Sequence, residues 1–180
     1  DFTWDKDKLL PLLFEISQRQ GKLAGRMESY GVAVRNETSL NNLTSEIIHS
    51  NEIEGEFLDK DQVRSSIARK LGLKVAGLVP SARDVDGVVE VMLDAIQNYR
   101  SPLTKSRLFS WHAALFPTGR SGMSRISVGK WRTNAADDPM QVVSGPMGRE
   151  KVHFQAPDSE KLPHEMSVFL NWFNKVHEAH

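Results

Sequence analysis

The stretch Ser50-Asn51-Glu52-Ile53-Glu54-Gly55 ends a predicted helix and places a carboxylate on its apolar side. Leu43, Ile47, Ser50 and Glu54 follow one another at helical spacing, so they share one stripe. Because an unpaired buried charge costs on the order of several kcal/mol, we expect a cation opposite Glu54, preferably an arginine, whose fork fits a carboxylate. The alternative is that Glu54 turns to solvent or pairs locally with a lysine.

The composition indicates a folded protein of one domain, or of a small domain with an appendage. The chain has 180 residues, of which 39% are hydrophobic and 26% charged, and its formal net charge is zero. Such a balance gives no support for nucleic-acid binding, which needs a basic face. No apolar run approaches the roughly 20 residues of a membrane span, so we expect no membrane partner and a cytoplasmic location. The absence of cysteine excludes disulfides and thiolate zinc sites.

Apolar periodicity predicts a mostly α fold. Asp59 and Thr104 are expected to be N-caps, with the Gln62 side chain reaching back toward Asp59 in a capping box. The periodic segments are residues 8–30, 39–54, 84–99 and a last helix that starts near Pro163.

One β-hairpin is predicted from two β-prone runs, Met140–Val143 and Val152–Phe154, with a turn between them. A lone hairpin is marginally stable in water, so we expect it to pack on the helices. Its open edge would suit an extended peptide, which binds by strand addition. The alternative is a hairpin that is sealed by its own side chains and binds nothing.

No catalytic or metal-binding set follows from spacing alone. The six histidines show no ligand spacing, and His112 on an apolar helix face is expected to have its partner within the fold. Gly119–Gly122 is expected to be a solvated turn, and neither it nor Gly129–Arg132 matches a P-loop.

These segments, in this order, resemble the Fic family, whose enzymes transfer AMP from ATP to hydroxyl groups of target proteins. The family's inhibitory helix carries Ser/Thr-x-x-x-Glu-Gly/Asn, which Ser50–Gly55 matches. The resemblance covers nearly the whole chain, with Leu108–Phe116 similar to the first core helix, Gly129–Thr133 to a Gly-x-Tyr/Trp-Arg segment, Val142–Pro157 to the flap hairpin and Met166–Asn174 to the next helix. It implies a helical Fic-like bundle with one β-hairpin flap. The implied divisions are an N-terminal helical domain over 1–35, the inhibitory and linking helices over 36–100, and the first part of the Fic core over 101–180.

The resemblance also implies roles for particular residues. Ser50, Glu54 and Gly55 would be regulatory, with Glu54 paired to the arginine that otherwise holds the γ-phosphate of ATP and Ser50 hydrogen-bonded nearby. The flap residues that would clamp a target protein are Val142, Val143, Val152 and His153.

One departure from the family is decisive for activity. The signature His-Pro-Phe-x-Asp/Glu-Gly-Asn-Gly-Arg is absent from the 180 residues. We therefore expect a truncated, proteolysed or degenerate form that contains no catalytic residue, binds no ATP or Mg by itself and is inactive alone. In the parent enzyme, ATP and Mg would be required, and the arginine that pairs with Glu54 would lie outside this chain.

Other functions and the assembly remain open at this point. A non-catalytic, antitoxin-like helical module could use the Glu54 helix to occupy an arginine of another chain. The zero net charge gives little support to a DNA-binding regulator. The sequence does not decide whether the protein forms a homodimer.

Overall fold

The computed structural model describes residues 3–133 and 139–178. These residues form six helices and two small antiparallel hairpins, which confirms the mostly α fold with a hairpin. The elements are α1 Lys6–Glu28, α2 Val32–Ile53, α3 Lys60–Lys70, α4 Arg83–Gln97, α5 Lys105–Leu115, β1 Arg120–Ser121, β2 Ser124–Arg125, β3 Gln141–Ser144, β4 Lys151–Gln155 and α6 Leu162–Glu178.

Both predicted N-caps are present. The Asp59 side chain accepts from the backbone N–H of Gln62 at 2.9 Å, and Thr104 Oγ1 accepts from that of Arg107 at 3.2 Å. The capping-box prediction for Gln62 is wrong, because its side-chain oxygen instead accepts from the N–H of Ala82 at 2.8 Å. The chain returns beside α3 just before α4, so the backbone N–H of Ala82, the N-cap residue of α4, lies within reach of the Gln62 side chain.

The core lies among α2, α3 and α4. Helix α2 packs on α3, α3 on α4, and α4 on α5. The buried Thr44 hydroxyl donates to the Leu40 carbonyl at 2.7 Å, so it adds no unsatisfied polar group. The buried apolar residues are Leu40, Ile47, Val63, Ile67, Ala68, Val85, Val89 and Leu93.

Polar side chains fix the segment between α3 and α4. Asp86 accepts hydrogen bonds from the hydroxyls of Ser66 and Ser81, and Arg69 donates to the Val79 carbonyl at 2.8 Å. Partial burial raises the pKa of Asp86, but the two hydroxyl bonds and the nearby cations outweigh it and lower that pKa overall. The start of α4 is therefore held against α3 by a charged network.

Helices α4 and α5 meet closely at Gly87. A Cβ at this position would lie 2.0 Å from the carbonyl oxygen of Ala114, so only glycine fits. On the same side, Asp94 of α4 accepts from Arg107 Nε and from Trp111 Nε1, both at 2.6 Å. This joint fixes α5, and with it the segment that follows.

Helices α1 and α6 lie outside this core. The amphipathic helix α1 has no buried residue in the described part of the chain, although its stripe of leucines and isoleucine resembles a packing face. Helix α6 is tied down by Asn174, whose amide accepts from the N–H of Leu103 at 2.9 Å and donates to its carbonyl at 3.0 Å.

Candidate functional site

The end of α2 is a well-formed helix cap. Gly55 has φ +82°, which strongly favours glycine, and its N–H donates to the Glu52 carbonyl at 3.0 Å. The next N–H, from Glu56, reaches back to the Asn51 carbonyl at 3.0 Å. These two bonds are those of a Schellman motif, so Gly55 is required by backbone geometry and Glu54 is the C-cap residue.

Glu54 does not lie on a buried stripe, so this part of the sequence prediction is wrong. Along α2, Ile47 is fully buried, Ser50 is half-buried and Glu54 is exposed. The stripe argument assumes that a neighbouring element continues beside the last turn, whereas the chain reverses at Gly55 and leaves the cap uncovered. Because the Glu54 carboxylate stays in water, it does not bear the desolvation cost that a buried position would impose.

The Glu54 carboxylate has no cationic partner within residues 3–133 and 139–178. No ion pair or side-chain hydrogen bond of Glu54 occurs there, and Glu52 and Glu56 on either side are also exposed acids. Ser50 Oγ likewise makes no hydrogen bond in this part of the chain. The predicted arginine partner and the bond of Ser50 therefore stay predictions.

The flap hairpin is present with a bulge. Val142 pairs with Phe154 and Val143 with Val152, so His153 is the extra residue on β4. Its ring Nε2 lies 2.7 Å from the hydroxyl oxygen of Ser144, a contact that bridges the two strands.

The hairpin is exposed along both strands, which contradicts the prediction that it packs on the helices. Val142, Val143 and Val152 are 58%, 46% and 48% exposed. Strand pairing and the bulge contact stabilise it, and a bond from Arg132 to the Pro157 carbonyl holds the residues that follow β4. Its sheet has two strands, so both outer edges are open among the described residues.

The segment after β2 lies on α5. His112 Nδ1 accepts from the N–H of Gly129 at 3.3 Å, and the His112 ring lies 5.0 Å from that of Phe116. This confirms that His112 has its partner within the fold. Trp131 packs edge-on against Phe109 at 4.6 Å and borders a pocket of about 330 Å³ between α5 and α6.

The predicted regulatory residues at the end of α2 and the predicted flap residues do not contact one another through hydrogen bonds or ion pairs in the described chain. Sequence reasoning missed Ile53 and Phe57, whose side chains are 84% and 82% exposed on either side of Glu54. Ile53 lies off the line through Leu43 and Ile47, whereas Phe57 follows the end of α2, so helical spacing says nothing about its burial.

No group of three histidine, aspartate or glutamate side chains in the described ranges is arranged to hold a metal ion. None of the helices in that part of the chain combines the length and apolarity that a bilayer crossing demands.

Similarity to known proteins covers the first part of the chain. Residues 1–73 match a domain of unknown function, DUF4172. No curated protein matches the chain. The matched stretch contains α1, α2 and α3, and hence the Glu54 cap, while the hairpin and α6 lie outside it.

Proposed function

We propose that this chain is the regulatory, N-terminal part of a Fic-type protein adenylyltransferase and that Glu54 keeps the enzyme inactive. The supporting observation is the geometry of the Ser50–Gly55 segment. A Schellman cap with both of its backbone bonds presents an exposed carboxylate that no described cation neutralises. This is what a segment built to pair with an arginine elsewhere would need.

The inhibition would act through position. Glu54 would form a bidentate pair with the arginine that otherwise holds the γ-phosphate of ATP. Phosphoryl-type transfer depends on alignment, and displacing a reacting group by about 1 Å is enough to slow it strongly. ATP could then still bind, but its α-phosphate would not face the target hydroxyl.

The flap would bind the target protein. Within residues 3–133 and 139–178 no further strand pairs with either edge of the β3–β4 sheet, and an extended target segment could add to one of them as a third strand. Val142, Val143, Val152 and His153 would supply the contacts to its side chains. The bulge at His153 would set which side chains of the target fit at that point.

ATP and Mg belong to the parent enzyme in this proposal. The family resemblance implies that both would be held by residues of the catalytic signature, which is absent from the 180 residues. A cytoplasmic location would suit an enzyme that uses ATP to modify other proteins, and the proposal does not require a homodimer.

The test uses the full product of the gene with ATP, Mg and a target or self-modification assay. We expect Glu54→Gly to raise AMP transfer roughly 10- to 100-fold, because hydrogen bonds to charged groups contribute about 1.5–3 kcal/mol. Glu54→Gln should raise it as well, whereas the matched control Glu52→Gln should not. Equal transfer by the wild type and Glu54→Gly would refute autoinhibition, and transfer by the 180-residue chain alone would contradict the assignment of catalysis elsewhere.

A second function also fits the exposed cap. A non-catalytic, antitoxin-like module would use the same Glu54 segment to occupy an arginine of another chain, and an uncovered helix end serves that purpose equally well. The coding sequence separates the two proposals. A gene that continues beyond residue 180 into the catalytic signature removes the main support for the module.

A further inference from the structure

Helix α1 carries a long apolar face that no element of residues 3–133 and 139–178 covers. None of its 23 residues is buried, and no hydrogen bond or ion pair joins α1 to another helix or strand of those ranges. Apolar side chains of α6 and the hairpin are exposed too, but α6 is bonded to Leu103, and β3 pairs with β4. The face consists of Leu9, Leu12, Leu13, Ile16, Leu23 and Met27, of which Met27 alone is half-buried.

The interactions that hold α1 in shape are local and weak. Asp5 caps the first turn, and Glu15 and Arg19 form an exposed ion pair at 2.5 Å. Gly21 and Gly25 lie in open space inside the helix, where each lowers its stability. Because a helix gains most of its stability by packing its apolar face, α1 needs a partner along that face.

The spacing of the apolar residues indicates the shape of this partner. They form a seam at steps of four, three, four, three and four residues, which is the heptad repeat of a coiled coil. Such a repeat keeps the seam against one long helix, whereas a helix in a globular core shows a broader stripe. Among the described helices only α2 has a similar length, and its apolar side lies in the core. The seam is Leu9, Leu13, Ile16, Gln20, Leu23 and Met27.

We propose that α1 binds α1 of a second copy of this chain in a parallel, two-stranded coiled coil. A second α1 supplies the same repeat, so each side chain of the seam meets its own counterpart. A helix of 23 residues is about 35 Å long and about 10 Å wide, so two copies bury on the order of 700–1,000 Å². This area is at the low end of specific interfaces, so the pair forms at micromolar concentrations.

Gln20 determines the orientation of the two helices. In a parallel pair the two Gln20 side chains face each other, and their amides can exchange hydrogen bonds. In an antiparallel pair Gln20 would face an apolar residue such as Ile16, and its amide would be buried without a partner. The flanking charges agree with the parallel pair, because Arg19 of one helix then lies beside Ala24 of the other and no like charges meet.

The first test measures the mass of the 180-residue chain by sedimentation equilibrium between about 1 and about 200 μM. We expect a monomer of 20.3 kDa at the low end and a dimer at the high end, with a Kd of about 10 μM. Ile16→Ala removes a seam side chain but keeps a strong helix former, and it should weaken the dimer about tenfold. The matched control is Phe14→Ala, which removes a 67% exposed side chain that lies off the seam and should leave the Kd unchanged.

The second test determines the orientation of the helices. The chain has no cysteine, so Leu13→Cys and its control Phe14→Cys each introduce a single thiol. In the parallel dimer the two thiols of Leu13→Cys meet across the seam, so mild oxidation should join them by a disulfide and give a covalent dimer on a non-reducing gel. The thiols of Phe14→Cys lie off the seam and should stay unjoined.

Three results would overturn the pairing: a monomer at about 200 μM, an equal Kd for the wild type and Ile16→Ala, or equal crosslinking of the two cysteine variants. Binding of a monomeric chain to phosphatidylserine vesicles would assign the apolar face to a membrane and would overturn it as well. None of these measurements uses AMP transfer, so their failure is distinguishable from a failure of the proposed function.

Discussion

Asp94 is the centre of the α4–α5 joint, and Asp94→Asn tests how much that joint contributes to stability. The carboxylate accepts from Arg107 Nε, Trp111 Nε1 and Asn98 Nδ2 at 2.6, 2.6 and 2.7 Å. The asparagine keeps the shape but removes the charge, and it leaves Arg107, whose side chain is 15% exposed, without a counter-charge.

The magnitude follows from these contacts. Hydrogen bonds to charged groups contribute about 1.5–3 kcal/mol, and the 30% exposure of the Asp94 side chain moderates the loss by solvent screening. We expect the free energy of unfolding to fall by about 2 kcal/mol. With a urea m-value of about 2 kcal/mol/M, the midpoint drops by about 1 M. Circular dichroism at 222 nm during urea titration measures it, and Glu46→Gln on the exposed face of α2 is the control.

The stabilisation that Asp94 provides should decrease at low pH. Partial burial raises the pKa of Asp94, but the bonds from Arg107, Asn98 and Trp111 outweigh it and lower that pKa below 3.8. A depressed folded-state pKa means that the stabilisation is complete above the unfolded-state pKa and is lost as pH falls through the folded value. The gap between wild type and Asp94→Asn should therefore be constant from about pH 7 to 5 and shrink below about pH 4. A gap that is unchanged at pH 3.5, or a loss no larger than that of Glu46→Gln, would refute the reasoning.

Two other substitutions test the packing. Gly87→Ala would place a Cβ 2.0 Å from the Ala114 carbonyl oxygen, so the free energy of unfolding measured by urea titration should fall by about 1–3 kcal/mol. The control Gly21→Ala lies in open space on α1 and should stabilise the protein by up to about 1 kcal/mol. Equal urea midpoints for the two variants would contradict the close approach of α4 and α5 at Gly87. Asn174→Ala removes both bonds to the Leu103 backbone and should make α6 a faster target of limited proteolysis, and an unchanged cleavage rate would show that other contacts hold this helix.

Local signals in the sequence predicted several caps and turns, although α2 begins at Val32 and not near residue 39. The side chains of Asp59 and Thr104 cap helices as expected, because an N-cap depends on a donor only three residues away. The hairpin follows from two β-prone runs around a glycine-containing turn, and Gly55 ends α2 because a left-handed cap needs glycine. Each of these predictions uses information that lies within a few residues.

Predictions that depended on distant neighbours were less successful. Gln62 bonds to Ala82, which is remote in sequence, and Asp94 meets Arg107 and Trp111 only after α4 and α5 have packed. Glu54 was expected to be buried because a periodic stripe does not reveal where the covering element ends. The exposed flap is a similar case, since β-propensity indicates that strands pair but not what covers their faces.

The Ser50–Gly55 cap combines features that stability alone does not favour. A carboxylate at a helix C-terminus meets the negative end of the helix dipole, an effect of about 0.3–1 kcal/mol. Ile53 and Phe57 leave apolar surface in water, which forfeits about 1.5–3 kcal/mol for each side chain that could be fully buried. Meanwhile the backbone N–H groups of Glu54, Gly55 and Glu56 all donate to carbonyls of the last turn of α2. A hydrogen-bonded turn that displays an acid which no cation of the described residues neutralises is suited to pairing with an arginine, and this is why the proposed inhibitory contact is assigned to this cap rather than to the hairpin.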